Sequence, residues 1–164
     1  VKNDSLPEFI DIAIVGAGPH ALALVAHLLQ KKKSMRGRFL VFDPSGTWMS
    51  QWNHQFAALE IPHLRSPAVH QPDPDPHALR TFAASRPNEL FPPYDLPGTR
   101  LFQNFCQEVI RRSALQNGNN IFTDSCKVFA LFYTHPLHLI HFFCSSPPVC
   151  SGFSPFFSKP YLFG

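Results

Sequence analysis

An α/β fold class, built on one parallel β-α-β unit, is predicted by three observations. A short apolar run from Ile10 to Val15 ends abruptly at glycine. Gly16, Gly18 and Ala21 then form G-x-G-x-x-A, and apolar residues recur at helical intervals beyond Pro19. A second apolar run, Arg38 to Phe42, closes on the acid Asp43. Strand, glycine turn, helix and strand together are the context that a dinucleotide-binding turn requires.

The first run is rich in β-branched residues, interrupted only by Asp11, and so predicts a buried strand. Gly16 lets the chain leave that strand sharply. Gly18 has no side chain, so a pyrophosphate can reach the backbone. Ala21 keeps the following helix close to the sheet. Pro19 suits the first helical turn, where its missing N–H would have been unpaired anyway. Ala21, Leu24, Val25, Leu28 and Leu29 mark the buried side of this helix. Its free N–H groups and its dipole favour a phosphate at the N-terminus. Asp43 lies 22 residues after Ala21, near the roughly 20-residue spacing of an acid that accepts hydrogen bonds from ribose hydroxyls.

Between the two strands stands the dense basic run Lys31, Lys32, Lys33, Arg36 and Arg38. It predicts a solvated helix end, where cations complement the dipole. It lacks the interleaved aromatics of a nucleic-acid surface, and a net charge of +3 is too mild to argue for one. No nucleic-acid partner is expected. Gly46 to Pro67 carries Trp48 and Trp52 without a clear period, so we expect a long loop beside the glycine turn, either touching ligand or covering the core. Gln71 to His77, QPDPDPH, predicts an extended proline-rich linker. A short helix over Ala78 to Ser85 and a turn-rich connector over Pro87 to Gly98 follow. Thr99 to Ala114 predicts an amphipathic helix capped by Thr99, with Leu101, Phe102, Phe105, Val109 and Ile110 buried. Asn120 to Thr123 begins a strand.

The composition then changes. Asp124 is the last acid, and from Val128 onward neither period is sustained among phenylalanines, serines and prolines. His135, His138, His141 and Cys144 recur every three residues, but Pro136 and the spacing argue against a zinc site, and no metal is expected. Val128 to Cys144 contains Pro136 and falls short of the roughly 20 apolar residues of a membrane span. Residues of this kind share pyrimidine-rich codons. We therefore expect authentic coding sequence to stop near Val128, with the remainder a gene-model or splice artefact. The expected organisation is a lead-in over 1–9, the N-terminal part of a nucleotide-binding domain over 10–127, and an irregular tail over 128–164. No secretory or transit leader is visible, so the four cysteines give no ground for a disulfide framework. A cytoplasmic protein is expected.

Several segments carry a family resemblance. GAGPHALALVAHLL resembles the G-x-G-P-x-x-L-x-L-A motif of flavin-dependent N-hydroxylating monooxygenases, the lysine and ornithine hydroxylases, and of class B flavoprotein monooxygenases more widely. SGTWMSQWN is similar to the G-x-W segment of flavin monooxygenases. LEIPHLRSP resembles the stretch that passes the flavin in the hydroxylases, and FPPYDLPGTRLFQNFCQEVIRR the motif and helix between the halves of the FAD domain. The resemblance spans about residues 10–128. It implies an incomplete Rossmann-like FAD/NAD(P)-binding fold. The cofactors implied are FAD, along the first β-α-β unit, and NADPH, which reduces it so that oxygen can be transferred to a small-molecule amine or other soft nucleophile. The cofactor-binding residues it implies are Gly16, Gly18, Pro19, His20, Ala21, Asp43, Gly46, Trp48, Gln51, Trp52, His63 and Arg65, with His54, His63 and His70 near the flavin. No catalytic residue follows from it. The family carries a second glycine-rich turn for NADPH; here the glycines after Gly98 are Gly118, Gly152 and Gly164, and none opens a helix after a strand. The chain is thus expected to be catalytically incomplete, with no NADPH site of its own. A non-catalytic nucleotide-binding module and an NAD-dependent dehydrogenase domain are the alternatives.

Overall fold

The computed structural model describes residues 10–116, 121–123 and the backbone of 138–140. A parallel sheet lies at its centre. Strand β1, Ile12–Val15, pairs in register with β2, Phe39–Phe42. The crossover between them is α1, Pro19–Lys31, followed by a 3-10 turn over Lys33–Gly37. The short strand β5, Ile121–Phe122, extends the sheet beyond β2, and β6, His138–Ile140, lies parallel to β1 on its other side.

Alternation along the strands sorts two clusters. Ile14, Phe39 and Val41 face Leu22, Val25 and Leu29 of α1 and the buried row of α4, Thr99–Arg112. Ala13, Leu40 and Phe42 pack with Ile10 and Phe122 on the opposite face. All of β2 is therefore buried, as a central parallel strand should be. The row on α4 is the predicted one, Leu101, Phe102, Phe105, Val109 and Ile110, with Cys106 added. Burying that stripe against α1 and the sheet is what stabilises the helix.

Elsewhere the structure departs from expectation. Gly46 to Pro67 is no continuous loop: Ser50–Ala58 forms α2. Its large apolar residues, Trp52 and Phe56, are too few to announce a period. Thr99 does not cap α4. Gly98 holds the N-cap position, and the Thr99 hydroxyl donates instead to the Ile61 carbonyl at 2.5 Å. Nor is Gln71 to His77 an extended linker. The Asp73 and Asp75 carboxylates accept from the amides two residues on, Gln71 bonds within the same bend, and Pro72 is fully buried. Side-chain turns of this kind offer the backbone a compact alternative to polyproline extension. The basic run is only partly a solvated helix end. Lys31, Lys32 and Lys33 are exposed, but Arg36 donates to the Ser113 and Ala114 carbonyls that end α4, and Arg38 pairs with Asp11.

The short helix α3, Ala78–Phe82, continues as a 3-10 turn over Ala83–Ser85. The connector after it contains a hairpin of β3, Leu90–Phe91, and β4, Leu96–Pro97. Among the described residues, no helix is long and apolar enough to cross a membrane. Most of the expected tail, including His135, His141, Cys144 and Cys150, lies outside the described residues.

Candidate functional site: the glycine turn and its neighbouring pocket

Gly16 leaves β1 with φ +93°, a conformation that strains any other residue. Its N–H donates to the Phe42 carbonyl at 2.8 Å, tying the turn to β2. Gly18 is the N-cap of α1, with Pro19 in the first turn and no side chain capping the free N–H groups. A Cβ built on Gly18 meets nothing within 4 Å. No packing of the protein therefore demands glycine here, while the open space lies at the positive end of a helix. Ala21 is 2 % exposed, at the seam between α1 and the sheet. The arrangement offers an anion bare backbone, a helix N-terminus with no side-chain cap and a favourable dipole.

Asp43 sits where the second strand ends, and its partners belong to the turn. One carboxylate oxygen, Oδ2, accepts from the Ala17 N–H at 2.8 Å. The other, Oδ1, accepts from the Ser45 N–H at 2.9 Å and the Ser45 hydroxyl at 2.5 Å. The Ala17 carbonyl accepts from the Met49 N–H at 2.8 Å. Met49 is buried, and its φ of 66° is left-handed. Both polar groups of the central residue of the glycine turn are thus held from outside it. Ser45 and Met49 were not among the expected site residues. Asp-x-Ser is a legible turn signal; nothing in the sequence marks Met49.

The G-x-W segment divides. Gly46 adopts φ +65°, and a Cβ there would come within 2.8 Å of the Thr123 methyl group. Its glycine is accounted for by the turn and by β5. Trp48 is 8 % exposed and belongs to the core. Gln51 is exposed. Trp52 lies on the other side of α2, stacked on Phe56 with ring centroids 3.9 Å apart and tilted against Phe102 at 5.3 Å.

Trp52 also lines a pocket of about 860 Å³, together with Pro19, His20, His63 and Arg65. That volume is within the ordinary range for small-molecule sites. One wall is the start of α1, immediately after Gly18. Another is α2, with Phe56. The third is the segment Leu59 to Pro72, including Ile61, Leu64 and His70. This last wall is anchored rather than loose. His63 bridges to Gly98, Leu64 N–H donates to the Pro97 carbonyl at 2.9 Å, and Thr99 N–H donates to the Pro62 carbonyl at 3.0 Å. His54 is exposed and does not line the pocket. Among the expected residues, then, Pro19, His20, Trp52, His63 and Arg65 meet around one cavity. Gly16, Gly18, Ala21 and Asp43 build the turn beside it. Gly46, Trp48 and Gln51 lie in neither group.

A family model described as FAD-NAD(P)-binding matches residues 13–128. The match begins within β1 and takes in the glycine turn, Asp43, the pocket walls and α4. Neither the comparison with curated proteins nor that with solved structures finds a match.

Proposed function

The chain belongs to the FAD-NAD(P)-binding family, a nucleotide-binding module of oxidoreductases, and from that premise we propose that it is the FAD-binding portion of a flavin-dependent, NADPH-using oxidoreductase of the monooxygenase kind. The observation that carries this reading is the open space at Gly18, set at an uncapped helix N-terminus. Gly16, Gly18 and the first N–H groups of α1 would hold the pyrophosphate. The adenosine half would run toward the end of β2. The other half would run past Pro19 and His20 into the pocket, where Trp52 and Phe56 offer apolar faces and Arg65, His63 and His70 offer donors. When bound, the flavin would supply redox chemistry between NADPH, oxygen and a small-molecule substrate. The residues of this chain bind it, orient it and shield one end of it.

A module that holds a nucleotide without doing chemistry is the second reading, since the glycine turn and the uncapped start of α1 are binding features and not reacting groups. An NAD-dependent dehydrogenase domain would use the same turn. Protein purified from cells and then denatured separates the cofactors. We expect released FAD, identified by its absorbance and by chromatography. Release of NAD alone would favour the dehydrogenase reading, and no released or re-bound nucleotide would overturn the proposal.

A further inference from the structure

We propose that Arg112, at the end of α4, is a positioning residue for the pocket: it holds the wall made by His70, Gln71 and Pro72 and so sets affinity for the flavin half of the dinucleotide. This rests on the reading that the pocket receives that half. Arg112 itself does not line the pocket; those three residues do. Its guanidinium lies 2.9 Å from Oδ2 of Asp73, whose side chain is 14 % exposed. A carboxylate so little hydrated depends on its partner charge. The other oxygen, Oδ1, accepts from the Asp75 N–H at 2.9 Å. The Asp73 N–H donates to Oε1 of Gln71 at 2.6 Å, and Nε2 of Gln71 donates back to the Asp73 and Asp75 carbonyls at 3.1 and 2.6 Å. The ion pair and then the side-chain bonds of the bend thus lead from α4 to the pocket. The grip starts from a fixed point. Val109 and Ile110 root the last turns of α4 in the core, and Arg36 donates to the Ser113 and Ala114 carbonyls beyond them. Glu108 flanks Arg112, with Oε1 at 3.6 Å from Nε. These contacts include neither the glycine turn nor Asp43, so the adenosine and pyrophosphate half lies outside their reach.

A partly exposed ion pair adds little to global stability. The signature of this role is therefore a split between two ligands. ADP carries the adenosine and pyrophosphate but not the flavin, and FAD carries all three. The test is an equilibrium titration of the full chain with each. We expect Arg112→Met, which keeps the aliphatic stem and removes the charge, to weaken FAD by about fivefold and leave ADP affinity unchanged. Asp73→Asn should do the same, because its amide oxygen can still accept from the Asp75 N–H while the charge is gone. The double variant should be no weaker than either single one, since each removes the same link. Arg112→Lys, which restores a cation, should recover most of the FAD affinity. If Arg112→Met does not fold, Asp73→Asn carries the test, because it preserves the bond that closes the bend. FAD and ADP affinities that fall together, or FAD affinity unchanged in the single variants, would overturn the proposal while leaving the binding site intact. A folded wild-type chain that does not bind FAD would overturn the flavin reading, and this inference with it.

Discussion

Three glycines of the site region look alike in the sequence, and only the structure separates their reasons. Gly16 is required by its φ of +93°. Gly46 is required by φ +65° and by the Thr123 methyl group beside it. Gly18 is required by neither. Gly16→Ala should therefore lower stability by about 1–2 kcal/mol, the cost of a left-handed conformation for an L-residue. Gly46→Ala should cost at least as much, because Thr123 must also move. Gly18→Ala should leave the thermal unfolding midpoint nearly unchanged. Chemical denaturation of the three variants checks this order, and a Gly18→Ala variant as unstable as Gly16→Ala would contradict it. The motif spacing made Gly16, Gly18, Ala21 and Asp43 legible in advance. What spacing cannot convey is which hydrogen bonds a carboxylate has already made. The bond that Asp43 accepts from the Ala17 N–H is of that kind.

Elements with a sustained period were legible to within a residue or two. α1 and α4 begin where predicted, and β2 begins one residue after Arg38, which turns outward to Asp11. Elements fixed by tertiary contact were not. α2 has no buried residue of its own and starts from a left-handed Met49. The bend at Gln71 to His77 is closed by side-chain bonds and by Asp73 pairing with Arg112. The expectation of an accessible linker there is replaced by its opposite: limited proteolysis should spare Gln71 to His77, and early cleavage within it would contradict the bend. α4 supplies a chemical test. Cys106 is 0 % exposed, and burial pushes its thiol well above the ordinary range. Thiolate is the reactive form. Native-state alkylation should therefore leave Cys106 unmodified, and labelling should appear there only once denaturant opens α4. Rapid native labelling at Cys106 would mean that α4 does not pack as described.

At the scale of the molecule, the segment expected to be an irregular tail includes His138–Ile140, which occupies the sheet edge beside β1. An uncovered edge invites pairing between chains. A chain ending at Lys127 should therefore associate more strongly than the 164-residue chain in sedimentation while still binding nucleotide, since the glycine turn and pocket lie before that point. A monodisperse truncated chain would show that β6 is dispensable. The sheet, the turn and the pocket have one purpose on this account: they present a bare helix N-terminus to a dinucleotide. Flavin fluorescence titration of the purified chain with FAD, run beside thermal melts of wild type and Gly18→Val, tests that claim most directly. Wild type should bind saturably and Gly18→Val should lose binding by at least tenfold, with a similar melting midpoint in both, because a Cβ at Gly18 meets nothing of the protein within 4 Å. Equal FAD binding by wild type and Gly18→Val, or no binding by a folded wild-type chain, would contradict it.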